Sequence, residues 1–510
     1  MYRPTLRYEG LNFYSPLSNA PSNLREGNGC SQKKNKRLYM HQTCNSQEAN
    51  SGDGRELKRR LQNRHIQLIA ISGAIGTGLF MGSGKMIAMS GSSILLVYAI
   101  IGFFVFCIMR AMGEMLLANL EMGSFAELVH HHMGPRAGFI LAWSYWLSWV
   151  VVAVGDVVVV AGFLQYWFPD LPTWIPAFGT MFLLVALNML AVKAFGEVEF
   201  WFGLIKIIAI VALVLTGLFM IATSYTSPDG VTATFSHLVE PGVMMPHGVL
   251  GFLAGFQIAI FSFVGTELIG TAAAEAHNPE KTLPKAINTI PLRILLFYVA
   301  ALACIISVIS WPHVPANRSP FVELFLLGGL PAAAGMINFV VMTSAASSAN
   351  SGVYSGSRML YGLSHNKQAP HAFGRLSGSG TPIRALMFSG LCMTIALTLL
   401  FVIPDVMGVF TLVSTISAVM VVVTWSLILL SYLAYRRTNP EAHQRSTFKL
   451  PGGKFTAVLS LAFLLFVLCL LSLEADTRTA LYIMPFWYIG LLLAYQRSAK
   501  TQGNVAVTAS

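Results

Sequence analysis

Apolar residues in this chain fall into long runs of helix-spanning length, separated by short polar connections. Counting runs of about 20 apolar residues predicts twelve spanning helices, near 66–89, 93–118, 137–167, 174–192, 200–223, 248–273, 287–310, 328–352, 385–403, 407–434, 455–473 and 479–496. Two of these runs are interrupted by glycine clusters at a similar depth. The first reads Ile66-Gln-Leu-Ile-Ala-Ile-Ser-Gly73-Ala-Ile-Gly76-Thr77-Gly78-Leu-Phe80, and the second runs from Gly251 through Gly255 and Phe261-Ser-Phe-Val-Gly265-Thr-Glu267 to Gly270. A helix broken at mid-membrane exposes backbone N–H and C=O groups that lipid cannot satisfy, so a break is tolerable only where it lines a protein cavity. The broken runs are the first and the sixth. Runs one to five and six to ten therefore read as two halves of opposite orientation, since a period of five spans is odd, with runs eleven and twelve as additions. The expected fold is an all-α polytopic membrane protein with a 5+5 inverted repeat.

Composition agrees with that pattern. With 55% apolar residues, 11% charged residues and a mean hydropathy of +0.63, 510 residues carry too little polar surface for a soluble protein. The formal charge of +11 sits mostly in short connections between runs, which argues against nucleic-acid binding. On the side of the two termini, Lys and Arg number about 19, against about three on the other side (Lys85, Arg318 and Arg478), so both termini are expected in the cytoplasm. The six cysteines contain no C-x-x-C pair, and four of them lie inside apolar runs, so neither a disulfide framework nor a zinc site is indicated.

Residues 1–55 are polar, rich in Asn, Ser and Gly, and carry the basic run Lys33-Lys-Asn-Lys-Arg37 without a following apolar stretch. They read as a disordered cytoplasmic tail, solvated or touching anionic headgroups, with Met40 as an alternative start. A twelve-helix body over 56–497 and a short cytoplasmic tail over 498–510 complete the expected organisation. The connections 273–286, 364–384 and 436–454 read as polar turns punctuated by proline.

The glycines of the first break let the backbone leave helical geometry, giving amide donors at the start of one half-helix and carbonyls at the end of the other. That arrangement complements a zwitterion. A carboxylate would sit on the N–H groups of Thr77, Gly78 and Leu79, and an ammonium group on carbonyls near Ala74 and Ile75, with Gly76 between them. On this reading the Thr77 side chain is dispensable. The competing reading is that these glycines serve only close helix packing. In the second break, Phe261, Ser262, Val264 and Gly265 would supply further carbonyls and an aromatic wall; a phenylalanine in a span is otherwise commonly lipid-facing or core.

Ionisable residues inside spans are costly and are functional candidates by default. Glu114, Asp156, Lys206 and Glu267 lie deepest. Lys206 is about six residues into its run, close enough to the end for snorkelling to be an equal alternative. Glu114 lies four residues after Arg110, the spacing of an intrahelical ion pair. Asp156 and Glu267 are candidates for proton coupling. His130-His-His132 points three ways around a helix and reads as a solvated connection, not a metal site. No P-loop, H-E-x-x-H or Ser/His/Asp set is present, so neither ATP-driven pumping nor intramembrane catalysis is signalled.

Gly73-Ala-Ile-Gly-Thr-Gly-Leu-Phe80, Met109-Arg-Ala-Met-Gly-Glu114, Gly196-Glu-Val-Glu-Phe-Trp-Phe202 with Lys206, and Ala274-Glu-Ala-His-Asn-Pro-Glu-Lys-Thr-Leu-Pro-Lys-Ala286 occur in that order. Together they resemble the amino acid permeases of the amino acid/polyamine/organocation superfamily, over residues 57–496. Asn63-Arg-His-Ile-Gln-Leu-Ile-Ala-Ile, Leu79-Phe-Met-Gly-Ser-Gly-Lys85, Gly255-Phe-Gln-Ile-Ala259 and Ile337-Asn-Phe-Val-Val-Met-Thr-Ser-Ala-Ala-Ser-Ser-Ala-Asn-Ser-Gly-Val353 are similar to the branch that carries small neutral amino acids. The resemblance implies a LeuT-type fold in a bacterial inner membrane and proton symport with no other cofactor. It also implies that the broken helices hold the substrate's amino and carboxyl groups at Ala74 to Gly78 and Phe261 to Gly265. Lys206 matches a fifth-span lysine that stands where sodium-coupled relatives hold the ion, and Glu267 matches an acidic, gating or proton-linked position. The implied substrates are glycine, D-alanine and D-serine, with L-alanine; another amino acid, or a nutrient sensor on the same fold, is the alternative. The resemblance does not extend to the tail before Arg55.

Overall fold

The structure, a computed structural model, describes residues 75–508 except positions 121, 123, 190, 191, 229, 274–277, 379, 404 and 474. The expected tail, the first half of the first broken run and Ala74 lie outside the described residues. The described chain is helical, and its one β-bridge, Thr226 to Thr232, is isolated. Among the described residues nine helical stretches are long and apolar enough to cross a membrane, and Trp174–Met189 is a shorter apolar helix. Their apolar content suits contact with both protein and lipid, although Pro331–His365 carries a line of small polar residues. Phe486 is 77% and Phe219 68% exposed, which suits lipid contact and no aqueous surface.

Pro135–Leu164 runs through the centre, packed on Pro331–His365 and Val406–Thr438. Small residues set the close approaches. A Cβ on Gly155 would stand 2.5 Å from Val413, and one on Gly162, two turns further along the same face, 2.9 Å from Val406. Gly91 turns the chain from Gly82–Ser90 into Ile94–Ala118 with φ at +60°, and a Cβ there would collide with the Val243 carbonyl oxygen.

Four expectations change. The connection 273–286, read as a polar turn, contains most of a helix, Pro279–Asn288, with Pro279 in its first turn and Pro284 within it, burying Leu283, Ala286 and Ile287 on one face. His130 to His132 lie in the helix Phe125–Met133, capped by Ser124, where the His132 ring meets Tyr435 edge-on at 5.5 Å. Partial burial, then the neighbouring His131, hold His132 below the usual imidazole range. The last helix, Ala475–Thr508, runs through most of the segment expected as a tail.

Arg110 and Glu114 do not serve each other as an isolated pair. Arg110 donates to Asn288 Oδ1 at 2.9 Å and to the Lys449 carbonyl, with its guanidinium 3.7 Å over the Phe448 ring. Glu114 is fully buried and accepts from Tyr432 Oη at 3.1 Å and Leu450 N at 2.9 Å, while its other oxygen meets His443 Nδ1. An i,i+4 pair is worth only a few tenths of a kcal/mol, whereas a buried carboxylate needs several donors. The connection 439–452 is thereby strapped to Ile94–Ala118.

Candidate functional site

At the first break the described chain begins outside any helix, at Ile75 and Gly76. Gly76 is extended (φ −123°, ψ −166°), Thr77–Phe80 forms one helical turn, and Gly82–Ser90 continues beyond Met81. Leu79 N–H bonds back to the Gly76 carbonyl at 3.2 Å, so that donor is engaged inside the turn. The Ile75 carbonyl accepts from Ser344 Oγ at 3.3 Å.

In the second break the helix Gly248–Ala259 tightens to a 3₁₀ turn, Ile260–Phe263, before Val264 becomes extended. Gly265 then adopts φ +95°, which a side chain would disfavour, and Leu268–Ala273 resumes the helix. Glu267 folds back so that its Oε1 accepts the Gly265 N–H at 3.1 Å. It caps the break that precedes it.

The breaks touch each other. A Cβ on Gly78 would lie 2.7 Å from Ser262 Cα and 2.9 Å from Ser262 N, so the two chains cross backbone to backbone. Packing and site geometry therefore share one glycine. Beside the crossing is a cavity of about 10 Å³, on the order of one water molecule, bounded by Gly76, Thr77, Phe261, Val264, Trp149 and Ser348. Ser262 is fixed from its other side: Tyr98 Oη and Ser262 Oγ are 3.0 Å apart, and Tyr298 donates to the Ser262 carbonyl at 2.9 Å. Tyr298 comes from a π-helical stretch, Ile294–Ala300, and its ring stacks on Phe263 at 5.1 Å.

A buried polar chain leaves the first break. Thr77 Oγ1 donates to Asp156 Oδ1 at 2.6 Å, Ser348 stands beside the same carboxylate, and Lys206 lies within electrostatic reach of Asp156 and Glu199. Ser347 Oγ closes on Glu199 Oε1 at 2.9 Å. Lys206 is 1% exposed, which rules out the snorkelling alternative, and Asp156 and Glu199 are as deeply buried. Glu267 belongs to a separate cluster with Tyr145 and Trp425. Thus Ile75, Gly76, Thr77, Gly78, Phe261, Ser262, Val264, Gly265, Asp156 and Lys206 come together, Glu267 adjoins them from behind, and Ala74 lies outside the described residues.

Sequence reasoning missed Tyr98, Tyr298, Glu199, Trp149 and the serines at 344, 347 and 348. The serines carried a legible signal: Ser344, Ser347, Ser348 and Ser351 recur at i, i+3, i+4 and i+7, a polar face on an apolar helix. Glu199 stood in the quoted Gly196-Glu-Val-Glu motif but outside the predicted span. Among the described residues no group of His, Cys, Asp or Glu could hold a metal ion.

A profile of the amino acid permease family matches residues 65–504. The D-serine/D-alanine/glycine transporter of Escherichia coli (strain K12) is 54% identical over 439 residues, covering 86% of this chain and 93% of the relative. The amino-acid permease AapA of Bacillus subtilis (strain 168) is 45% identical over 89% of this chain and 97% of its own length. The aromatic amino acid transport protein AroP of Salmonella typhimurium (strain SL1344) is 38% identical over 89% and 98% respectively. With two broken helices crossing inside an apolar helical body and a match over most of its length, this chain belongs to the amino acid permease family.

Proposed function

We propose that the chain is a bacterial inner-membrane importer of glycine, D-alanine and D-serine, with L-alanine, driven by proton symport. Its fold in this reading is the twelve-helix 5+5 inverted repeat with both termini cytoplasmic. The observation that carries the substrate class is the backbone crossing of Gly78 with Ser262 beside so small a cavity. Main-chain groups recognise what every amino acid shares: the carboxylate meets the N–H groups of Thr77 and Gly78, and the ammonium meets carbonyls of the first break and of Phe261 to Val264. Trp149 and Phe261 bound the cavity, so that when the breaks part to admit a substrate they restrict its side chain to a hydrogen, methyl or hydroxymethyl group, and so small a group can point either way from the α-carbon. Tolerance of D forms follows, and the Escherichia coli relative's name accords with it.

For coupling, the link from Thr77 through Asp156 to Lys206 and Glu199 connects the substrate's half-helix to the only described lysine buried as deeply. Moving a proton on or off this set changes its net charge by one, which biases one packing of the helices against another. Switching a two-state equilibrium from 1:99 to 99:1 takes about 5.5 kcal/mol, so substrate and proton together must supply that difference.

The test is uptake of labelled glycine, D-alanine and D-serine into proteoliposomes under an inward proton gradient, with and without an uncoupler. Accumulation that collapses with the gradient supports symport of this class. Exchange without accumulation removes the coupling role from Lys206, and flux of a different amino acid keeps the permease and replaces its substrate.

A further inference from the structure

Two outward stripes on neighbouring helices change from apolar to basic at the same end. On Ile94–Ala118, Ala99, Phe103, Phe106 and Arg110 recur at i, i+4, i+7 and i+11, one face of a helix. The chain is again helical from Pro279 to Ile309, and there Lys281, Lys285, Asn288, Leu292 and Leu295 recur at the same spacing, each of them exposed. Arg110 Nη1 donates to Asn288 Oδ1 at 2.9 Å, which fastens the stripes together where both turn polar.

On the apolar side of that link the helices part to leave a groove of about 220 Å³, with Ala99, Phe103 and Phe106 on one wall and Pro291, Leu295 and Val299 on the other. Its floor is Gly102, where an added Cβ would stand 2.5 Å from Ile294. Phe103 is 55% and Leu295 59% exposed, so the groove opens away from the protein body. Such a lining takes hydrocarbon. The charges at its end select which hydrocarbon: Arg110 already faces Glu114, whereas Lys281 and Lys285 stand one turn apart on an exposed face. Glu280, the one acidic residue on Pro279–Asn288, is next to Lys281 in sequence and therefore points off the stripe. The excess charge at this end is positive.

The groove also backs onto the helix breaks. Its second wall includes the π-helical stretch Ile294–Ala300, within which Tyr298 donates to the Ser262 carbonyl at 2.9 Å. Leu295 and Val299 belong to the same wide turns and face outward into the groove. Whatever packs against them presses on the far side of the segment that holds Ser262. An open groove leaves those side chains without neighbours, and a chain of methylenes restores the lost dispersion contacts.

We propose that this groove binds an anionic phospholipid, one acyl chain lying against Phe103, Phe106 and Leu295 and the phosphate on Lys281 and Lys285, and that the bound lipid braces the π-helical stretch behind Ser262. The inference rests on the orientation in the transport reading above, which puts the basic end at the cytoplasmic surface. Lysines at a bilayer surface extend their charge to the headgroup level and attract anionic lipid there.

The experiment is photolabelling of the full-length protein in phosphatidylcholine vesicles that contain a trace of phosphatidylglycerol with a diazirine in its acyl chain. Adducts are mapped by peptide mass spectrometry, and the glycine KM is measured in matching vesicles with and without unlabelled phosphatidylglycerol. Adducts should concentrate on residues 99–106 and 291–299, and a diazirine phosphatidylcholine should label them about tenfold less. The double variant Lys281→Gln, Lys285→Gln should erase that difference, and Lys281→Arg with Lys285→Arg should keep it. Ala99→Trp, at an exposed position, should block the groove and cut labelling with both lysines in place. Phosphatidylglycerol should lower the glycine KM several-fold in wild type and leave it unchanged in the Gln and Trp variants. Equal labelling by the two probes, or adducts spread evenly over the spans, means ordinary bilayer contact and overturns the site. Selective labelling with a KM indifferent to phosphatidylglycerol keeps the site and overturns the brace. Selective labelling with no glycine carried in any vesicle overturns the transport reading and leaves the lipid site standing.

Discussion

Thr77 Oγ1 lies 2.6 Å from Asp156 Oδ1, joining the turn that follows the first helix break to the middle of the central helix. The sequence alone gave Thr77 value only for its amide, so Thr77→Val was expected to change little. The structure gives the hydroxyl a buried partner of its own. Removing the hydroxyl strips a buried carboxylate oxygen of its donor, at a cost of about 1–3 kcal/mol. Thr77→Val should therefore weaken gradient-driven accumulation of glycine several-fold, while Thr77→Ser, which keeps the donor, stays close to wild type. Equal accumulation by both variants would disconnect Asp156 from the substrate's half-helix.

The two described glycines of the first break, Gly76 and Gly78, should behave differently. A methyl group on Gly78 meets the Ser262 backbone at 2.7 Å, whereas the nearest atom to one on Gly76 is Ser348 Oγ at 3.6 Å, ordinary contact. Gly78→Ala should abolish uptake and lower thermal stability, because backbone cannot step aside as a side chain can. Gly76→Ala should insert and fold normally and lose affinity only modestly. Melting curves and uptake on the same preparations separate the two, and a Gly78→Ala protein as active as wild type would mean that the breaks do not cross in the working molecule.

Lys206→Ala should leave counterflow exchange of glycine measurable and abolish accumulation against a gradient. The lysine faces Asp156 and Glu199 without lining the cavity at the breaks, so its loss removes charge from the buried chain and takes no contact from the substrate. Normal concentrative uptake by this variant would end its coupling role.

Tyr298→Phe tests how firmly Ser262 must be held. The hydroxyl donates to the Ser262 carbonyl at 2.9 Å, and its removal leaves that carbonyl short of a partner in a buried setting. The ring stays to stack on Phe263, so stability should fall little while glycine KM rises several-fold. A change in stability with no change in KM would assign Tyr298 to packing.

How much of this was legible beforehand depended on distance along the chain. The breaks announce themselves because their cause is local: small residues clustered inside an apolar run. Lys206 is visible as a charge inside an apolar run, but its burial is not, since snorkelling stands as an equal alternative. The tyrosines that hold Ser262 carry no such mark, since Tyr98 lies 164 residues from its partner and in an apolar run looks like any other ring. Arg110 and Glu114 illustrate the opposite error. Their spacing fits a local pair, but the stronger claim on Glu114 comes from Leu450, 336 residues away, which sequence spacing has no means to register. The helix Pro279–Asn288 was obscured by its two prolines, one of which sits harmlessly in the first turn.

The strap between Glu114 and the connection 439–452 decides where the chain will accept foreign sequence. A reporter inserted between His443 and Leu450 must release at least one of the groups gathered on a fully buried carboxylate, so even a short, flexible insert there acts on the membrane-embedded body. At Gly230, by contrast, an added Cβ meets nothing within 4 Å, and the reversal from Ser227 to Val231 is closed by its own hydrogen bonds. A fluorescent or affinity label placed in that reversal would ride on the protein without gripping it.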